Sequence, residues 1–380
     1  MPTCRDWDAR GMVAAVSAIA LLFAFWYLAH NGIRLRGSSY MMGVGVFVLL
    51  SIAALYVGPI APNGICTYGG KAKLILSCGG IPNGFWTADQ YTVFQPAYPP
   101  GMTVVAMLIY CLSGGIFGTV WIQLVVPAVF AMIYIEMNPY NKGWDGFVAA
   151  SLVCAFILSP LTLRMAVGFY AEPVAALLVL VGLNAIRADK SYRGWFFIGA
   201  AGLFRPEGLL IAGILWGMKE LLGESCGFGQ GGLRRKICSF FLALMPGFLW
   251  QLMVYAFGAK IQGFSFDGLP QFATSAQTLE AYVVDIFTGA DLFGAVGLLT
   301  IVLVFKYRAR MLSQRRMILS IAFLVVACAV GAVVMGFNRS SNIEWVLTTH
   351  APRYLWLAFA PLVSEIVFSI NVSHEVRQVE

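Results

Sequence analysis

Apolar stretches close to twenty residues long recur along nearly the whole 380-residue chain, and that repetition leaves few folds open. Wound as a helix, such a stretch covers the roughly 30 Å of a bilayer's hydrocarbon core. Inside lipid only helices and closed barrels satisfy their own backbone hydrogen bonds. The apolar segments run 11–30, 40–60, 101–117, 118–137, 146–161, 173–187, 194–204, 207–219, 237–258, 290–305, 317–336 and 354–371. Only 11% of residues are charged, against roughly 25% in a soluble chain. The expectation is an all-α, polytopic transmembrane helical bundle forming one domain, 1–380.

The net charge of +7 sits in short basic clusters between the apolar runs: Arg34/Arg36, Arg187/Lys190/Arg193, Lys219 with Arg234/Arg235/Lys236, and 306–316. That is how cytoplasmic loops of membrane proteins are charged, and it argues against a nucleic-acid partner. If every segment crossed, the cluster at Arg187 would face the side opposite Arg34. The conflict disappears if 101–117 does not cross. That segment is short, follows Pro99-Pro100 and ends in Ser113-Gly114-Gly115-Ile116-Phe117-Gly118, a weak helix by propensity. About eleven spans plus an external membrane-surface half-helix then remain, with the N-terminus outside and the C-terminal tail inside. No cleavable signal peptide is expected, because Gly11–His30 lacks a basic flank and a small-residue cleavage site. Of the eight cysteines, Cys66 and Cys78 share the first external loop, where a disulfide and two free thiols are both open readings.

This topology places 61–117, 162–172, 205–207, 259–289 and 337–353 outside, and the unusual polar residues fall there. The first loop carries Asp89, Gln90, Tyr91, Gln95 and Tyr98. A carboxylate at the membrane surface can accept a proton from an attacking hydroxyl, or Asp89 is a plain helix-capping acid. Arg164 and Glu172 flank Tyr170 near the same face, where ionisable groups are costly unless paired or functional. Glu172 stands directly before Pro173, so it reads as a first-turn acid complementing the helix dipole, or as a metal ligand, a second carboxylate or an acceptor-binding group. Arg205 beside Pro206, Glu207 and Gly208 can hold a phosphate by bidentate hydrogen bonds, or cap a hairpin with Glu207. His350 and Arg353 precede the last span as phosphate-binding candidates, Arg353 otherwise being an arginine snorkelling from a helix end. No His/Cys group has zinc-ligand spacing. The 277–287 stretch reads as an amphipathic interfacial helix inside the 259–289 loop, a candidate acceptor site.

The order of these parts resembles the GT-C superfamily of integral-membrane glycosyltransferases. The likeness is carried by Asp89 with Tyr91, by Tyr98-Pro99-Pro100-Gly101, and by Ser159-Pro160 ahead of Tyr170-Ala171-Glu172-Pro173. Gly202-Leu203-Phe204-Arg205-Pro206-Glu207-Gly208 completes it. It covers roughly 40–220 well and the remainder only in topology. The resemblance implies a polyprenyl-phosphate-linked sugar donor, a glycan or lipid acceptor, inverting transfer on the outer face and Asp89 as general base. Arg205, His350, Arg353 and Arg164 would bind the donor phosphate. Gln90, Tyr91, Tyr98, Tyr170 and Glu207 would contact substrate, with Glu172 as second catalytic acid. A bacterial inner (plasma) membrane is the expected location, with membrane lipids as surroundings. No cofactor is specified, and a divalent metal stays open. This chain departs from the family in having two spans before the first loop, and a single Glu172 where many members have an Asp or a carboxylate pair. The competing readings are a surface-polysaccharide ligase or polymerase, a transporter or flippase of a lipid-linked substrate, and a non-catalytic envelope subunit.

Overall fold

The computed structural model describes residues 37–57, 63–113, 118–137, 144–222, 231–259, 296–313 and 351–377. The expected spans 11–30 and 317–336, nearly all of the 259–289 loop with its 277–287 helix, and His350 lie outside the described residues. All regular structure among the described residues is helical. The α-helices are α1 (Gly37–Val57), α2 (Lys71–Ser77), α3 (Gly101–Ser113), α4 (Gly118–Met137), α5 (Trp144–Ile157) and α6 (Pro160–Val167). They continue as α7 (Glu172–Arg187), α8 (Ser191–Ala200), α9 (Pro206–Leu222), α10 (Gly231–Ala256), α11 (Val296–Ser313) and α12 (Ala351–Arg377). A π-helix at Asn63–Gly70 leads into α2, and 3-10 turns occupy Asp89–Phe94 and Ala201–Leu203.

Two of these helices, over Val120–Met137 and Gly232–Ala256, are long and apolar enough to cross a membrane. The α5–α6 pair, bent by 53°, makes a third if it is one span. α3 has 13 residues, about 20 Å at 1.5 Å per residue, well short of the hydrocarbon core. α8 has 10 residues and its 3-10 extension 3, so the apolar stretch 194–204 is equally short. Hydropathy marks where side chains meet apolar surroundings, whereas a helix ends where capping fails. Accordingly α10 begins at Gly231, taking in Arg234, Arg235 and Lys236. α11 likewise runs on past Lys306 to Ser313. The stretch 162–172, read from sequence as a loop, is helical as far as Val167. Ser159 supplies the cap by accepting from Thr162 N–H, and Pro160 fits the first turn, where its missing N–H costs nothing.

α1, α4, α5, α6, α7 and α12 share one apolar core, centred on Phe130, Phe156, Trp356 and Phe359. Trp356 stacks on Phe156 at 5.1 Å and meets Phe130 edge-on at 5.5 Å. Its indole N–H donates to Thr162 Oγ1 at 2.8 Å, fastening α12 to α6. α7, α8 and α10 approach so closely that only glycine fits between them. A Cβ on Gly182 would lie 2.7 Å from Gly194 O, and one on Gly199 would lie 2.2 Å from Leu242 O. Such small-residue seams are how helices associate in lipid, where close packing and not water exclusion drives contact. On α1, Val46, Leu50 and Ala54 face inward at i, i+4, i+8 spacing while Val48, Leu49, Ile52 and Tyr56 are exposed. α10 likewise exposes Phe240, Phe241, Phe248, Leu249 and Leu252. Apolar faces this wide suit lipid and not water.

Candidate active site

Four helix N-termini meet at one end of the bundle, those of α3, α7, α9 and α12, and the first three are opened by proline chemistry. Pro99 and Pro100 lack the N–H that a helix start would orphan, and Pro100 O accepts the first helical bond from Val104 N at 2.8 Å. Pro173 and Pro206 do the same service in the first turns of α7 and α9. Glu172 and Glu207 are thereby first-turn acids of two neighbouring helices, where each dipole supplies about half a positive charge.

Arg205, in the sharp connection between the Ala201–Leu203 turn and α9, faces both acids. Its Nη2 lies 3.5 Å from Glu172 Oε1, and its Nε lies 3.1 Å from Glu207 Oε2. Arg353, in the first turn of α12, brings Nη1 to 3.6 Å from the same Glu172 Oε1. Glu172 is 1% exposed and Arg205 2%, so the centre is dry. The Glu172 contacts are longer than hydrogen bonds and act as charge attraction in a low dielectric. Two aromatic rings complete it: Arg205 lies over Tyr98 at 5.5 Å and Arg353 over Tyr170 at 4.9 Å. Both are cation–π distances. The converging helix N-termini add partial positive charge to this centre.

Glycine at 101 and 208 is dictated by this convergence. A Cβ on Gly101 would meet Leu203 O and the Phe204 ring at 2.7 Å, and one on Gly208 would meet Ala201 C at 2.5 Å. Gly101→Ala should therefore push α3 away from Arg205, lowering stability by about 1–3 kcal/mol as overpacking does. Thermal unfolding in detergent checks this, with Gly45→Ala as control, since a Cβ there meets nothing within 4 Å.

The structure brings together Tyr98, Tyr170, Glu172, Arg205, Glu207 and Arg353 from the sequence candidates. It does not bring Arg164 to them: that side chain is exposed in the last turn of α6, because α6 turns its Leu161, Met165 and Ala166 inward instead. Asp89 and Gln90 are exposed at the start of the Asp89–Phe94 turn, and Tyr91 packs its ring against Phe85 at 5.6 Å. Trp86 stacks on Phe257 at 5.3 Å and abuts Trp250, pinning the Asp89 loop to the end of α10. Cys78 is an exposed free thiol.

Two residues escape sequence reading. Tyr68, buried in the π-helix, hydrogen-bonds Arg205, and burial raises its hydroxyl pKa above the usual value. Lys71, 4% exposed at the start of α2, donates to Gln95 O at 3.0 Å and Tyr98 O at 3.4 Å. The signal for Lys71 was its sidedness, a basic residue in a segment that the charge pattern places outside.

Burial lowers the Lys71 amine from 10.5 to about 7. Between those values the unfolded chain binds a proton that the folded chain lacks, so stability rises with pH across that window. Tyr68 acts in the opposite sense above its ordinary value of 10.0, where the unfolded chain loses the phenolic proton first and stability falls. The unfolding midpoint in detergent should climb from about pH 7 towards pH 10 and then drop, and Lys71→Met should flatten the climb. Tryptophan fluorescence on heating measures both.

Among the described residues no group of three or more His, Cys, Asp or Glu comes together to hold a metal ion. The two acids at the centre both face Arg205, so a divalent cation bound there would have to displace a guanidinium. Among the described residues this donor set does not fit a metal.

Among the described residues, fold and site together define an all-helical arrangement with two or three helices long and apolar enough to cross a membrane and a buried Arg–Glu–Arg centre at convergent helix N-termini. The chain matches no protein-family model, no curated protein and no solved structure.

Proposed function

We propose that the chain is a polytopic membrane glycosyltransferase of GT-C type, with about eleven spans. It moves a sugar from a polyprenyl-phosphate donor to a glycan or lipid acceptor on the extracytoplasmic face. The observation that carries this reading is the meeting of Tyr98, Tyr170, Glu172, Arg205 and Arg353. These residues come from four separate motifs and pack into one dry centre ringed by helix N-termini. Such an end of a bundle favours an anion, and a polyprenyl phosphate or diphosphate is the anion that departs when its sugar is transferred. Arg353, the more exposed of the two arginines at 8% of its side chain, is the one a phosphate reaches first. Arg205 stays locked between Glu172 and Glu207.

Asp89 stands outside this dry centre, exposed on the loop that also carries Tyr98. In transfer its carboxylate takes the acceptor's hydroxyl proton while the acceptor oxygen forms the new bond to the anomeric carbon. The phosphate oxygen leaves with the bonding pair, and preorganised positive charge stabilises it.

The test is the lipid-linked and surface glycan profile, by mass spectrometry, of cells lacking the chain and of the same cells complemented with it. Loss of one sugar increment that the wild-type chain restores supports the reading, and the increment identifies the sugar class. An unchanged profile, or accumulation of an intact lipid-linked glycan on the inner leaflet, points to scaffolding or transport instead.

A further inference from the structure

Within the Gln95–Tyr98 turn the chain adopts a conformation that its own sequence disfavours. Gln95 has φ 47°, in the left-handed region, although it is neither glycine nor asparagine and stands directly before Pro96. A following proline pushes its predecessor towards extended backbone, and a side chain at positive φ is strained. Something outside the turn must hold it. Gln95 O accepts from Tyr98 N at 3.0 Å within the turn and from Lys71 Nζ at 3.0 Å across it. The same amine reaches Tyr98 O at 3.4 Å. Trp250 Nε1 holds the carbonyl between them, Ala97 O, at 3.1 Å. Lys71 follows Tyr68 by one helical turn, and the Tyr68 ring meets Tyr98 edge-on at 6.5 Å. A buried amine has no other reason to face two backbone carbonyls, because desolvating it is costly unless the hydrogen bonds it makes are needed.

We propose that Lys71 is a positioning residue whose buried amine clamps the Gln95–Tyr98 turn in its left-handed form, and so sets Tyr98 beneath Arg205. Its importance for sugar transfer rests on the function proposed above; the clamp itself does not. Strain concentrated beside a binding centre is the usual arrangement where surrounding structure overrides local preference.

Amide hydrogen exchange of the full chain in detergent micelles tests the clamp without any substrate. In Lys71→Met, which keeps the length of the side chain and removes its donors, the Tyr98 amide should exchange at least about tenfold faster. Gln95→Gly adopts positive φ without strain, so in the double variant the rate should return to within about threefold of wild type. Sugar transfer, measured in parallel, should fall in Lys71→Met and recover in the double variant. Unchanged Tyr98 exchange in Lys71→Met, or no recovery on adding Gln95→Gly, overturns the clamp. If Lys71→Met does not accumulate in the membrane, the double variant decides: accumulation supports the clamp and its absence overturns it. A wild-type chain with no transferase activity would refute the proposed function while the exchange result still judges Lys71.

Discussion

Glu172→Ala is expected to lower the unfolding free energy by about 3–5 kcal/mol, the range found when one partner of a buried ion pair is removed. The size follows from what remains. Glu172 is the carboxylate that both Arg205 and Arg353 face, at 3.5 and 3.6 Å, and neither guanidinium is more than slightly exposed. Arg205 keeps Glu207, and Arg353 loses its contact with Glu172 in the first turn of α12, where a guanidinium is unfavourably placed by the helix dipole. Glu207→Ala should cost distinctly less, because its side chain is 17% exposed and Glu172 still faces Arg205. Equilibrium unfolding in mixed micelles compares the two. A loss below about 1 kcal/mol for Glu172→Ala would place it with surface ion pairs and remove it from the centre of the fold.

Asp89→Asn is expected to reduce sugar transfer by about 10²–10⁴-fold, the contribution of a positioned general base, while leaving the fold intact. The substitution keeps shape and removes only the charge. Asp89 is exposed and sits at the first position of a 3-10 turn, so as a mere first-turn acid it would be worth under about 1 kcal/mol of stability and nothing in rate. Rate and stability therefore separate the two roles. The measurement is initial transfer rate by the purified chain from a polyprenyl-phosphate sugar, alongside its unfolding midpoint. Retention of rate within about threefold would leave Asp89 a capping acid and remove it from the proton transfer.

Much of the helical layout was legible because apolar length and punctuation are local signals. α4 begins and ends where its hydropathy does, at Gly118 and Met137. Pro99-Pro100-Gly101, Glu172-Pro173 and Pro206-Glu207 each mark a helix start that the structure contains. The candidate centre was legible in part for a different reason. Charged residues stand out in an apolar chain, and those kept there must find partners. What the pattern left open was which partners. Arg164 and Arg353 read alike in sequence, yet α6 turns Arg164 outward while the Trp356–Thr162 bond seats α12 so that Arg353 reaches Glu172. Arg205 read either as a phosphate ligand or as capping a hairpin with Glu207, and it lies between Glu172 and Glu207.

Taken alone, the amino-acid sequence determined that this chain is helical and apolar, where several of its helices begin, and which polar residues were candidates for a site. Those properties follow from backbone satisfaction in lipid, proline geometry and the cost of burying charge, and each acts over one or two turns of chain. Only the tertiary structure decided that residues 98, 170, 172, 205, 207 and 353 share one dry centre, that Lys71 and Tyr68 belong beside it, and that Arg164 does not. Those outcomes depend on how closely helices far apart in sequence approach. That closeness is set by glycine seams such as Gly182 against Gly194 and Gly101 against Phe204, contacts that no single segment encodes.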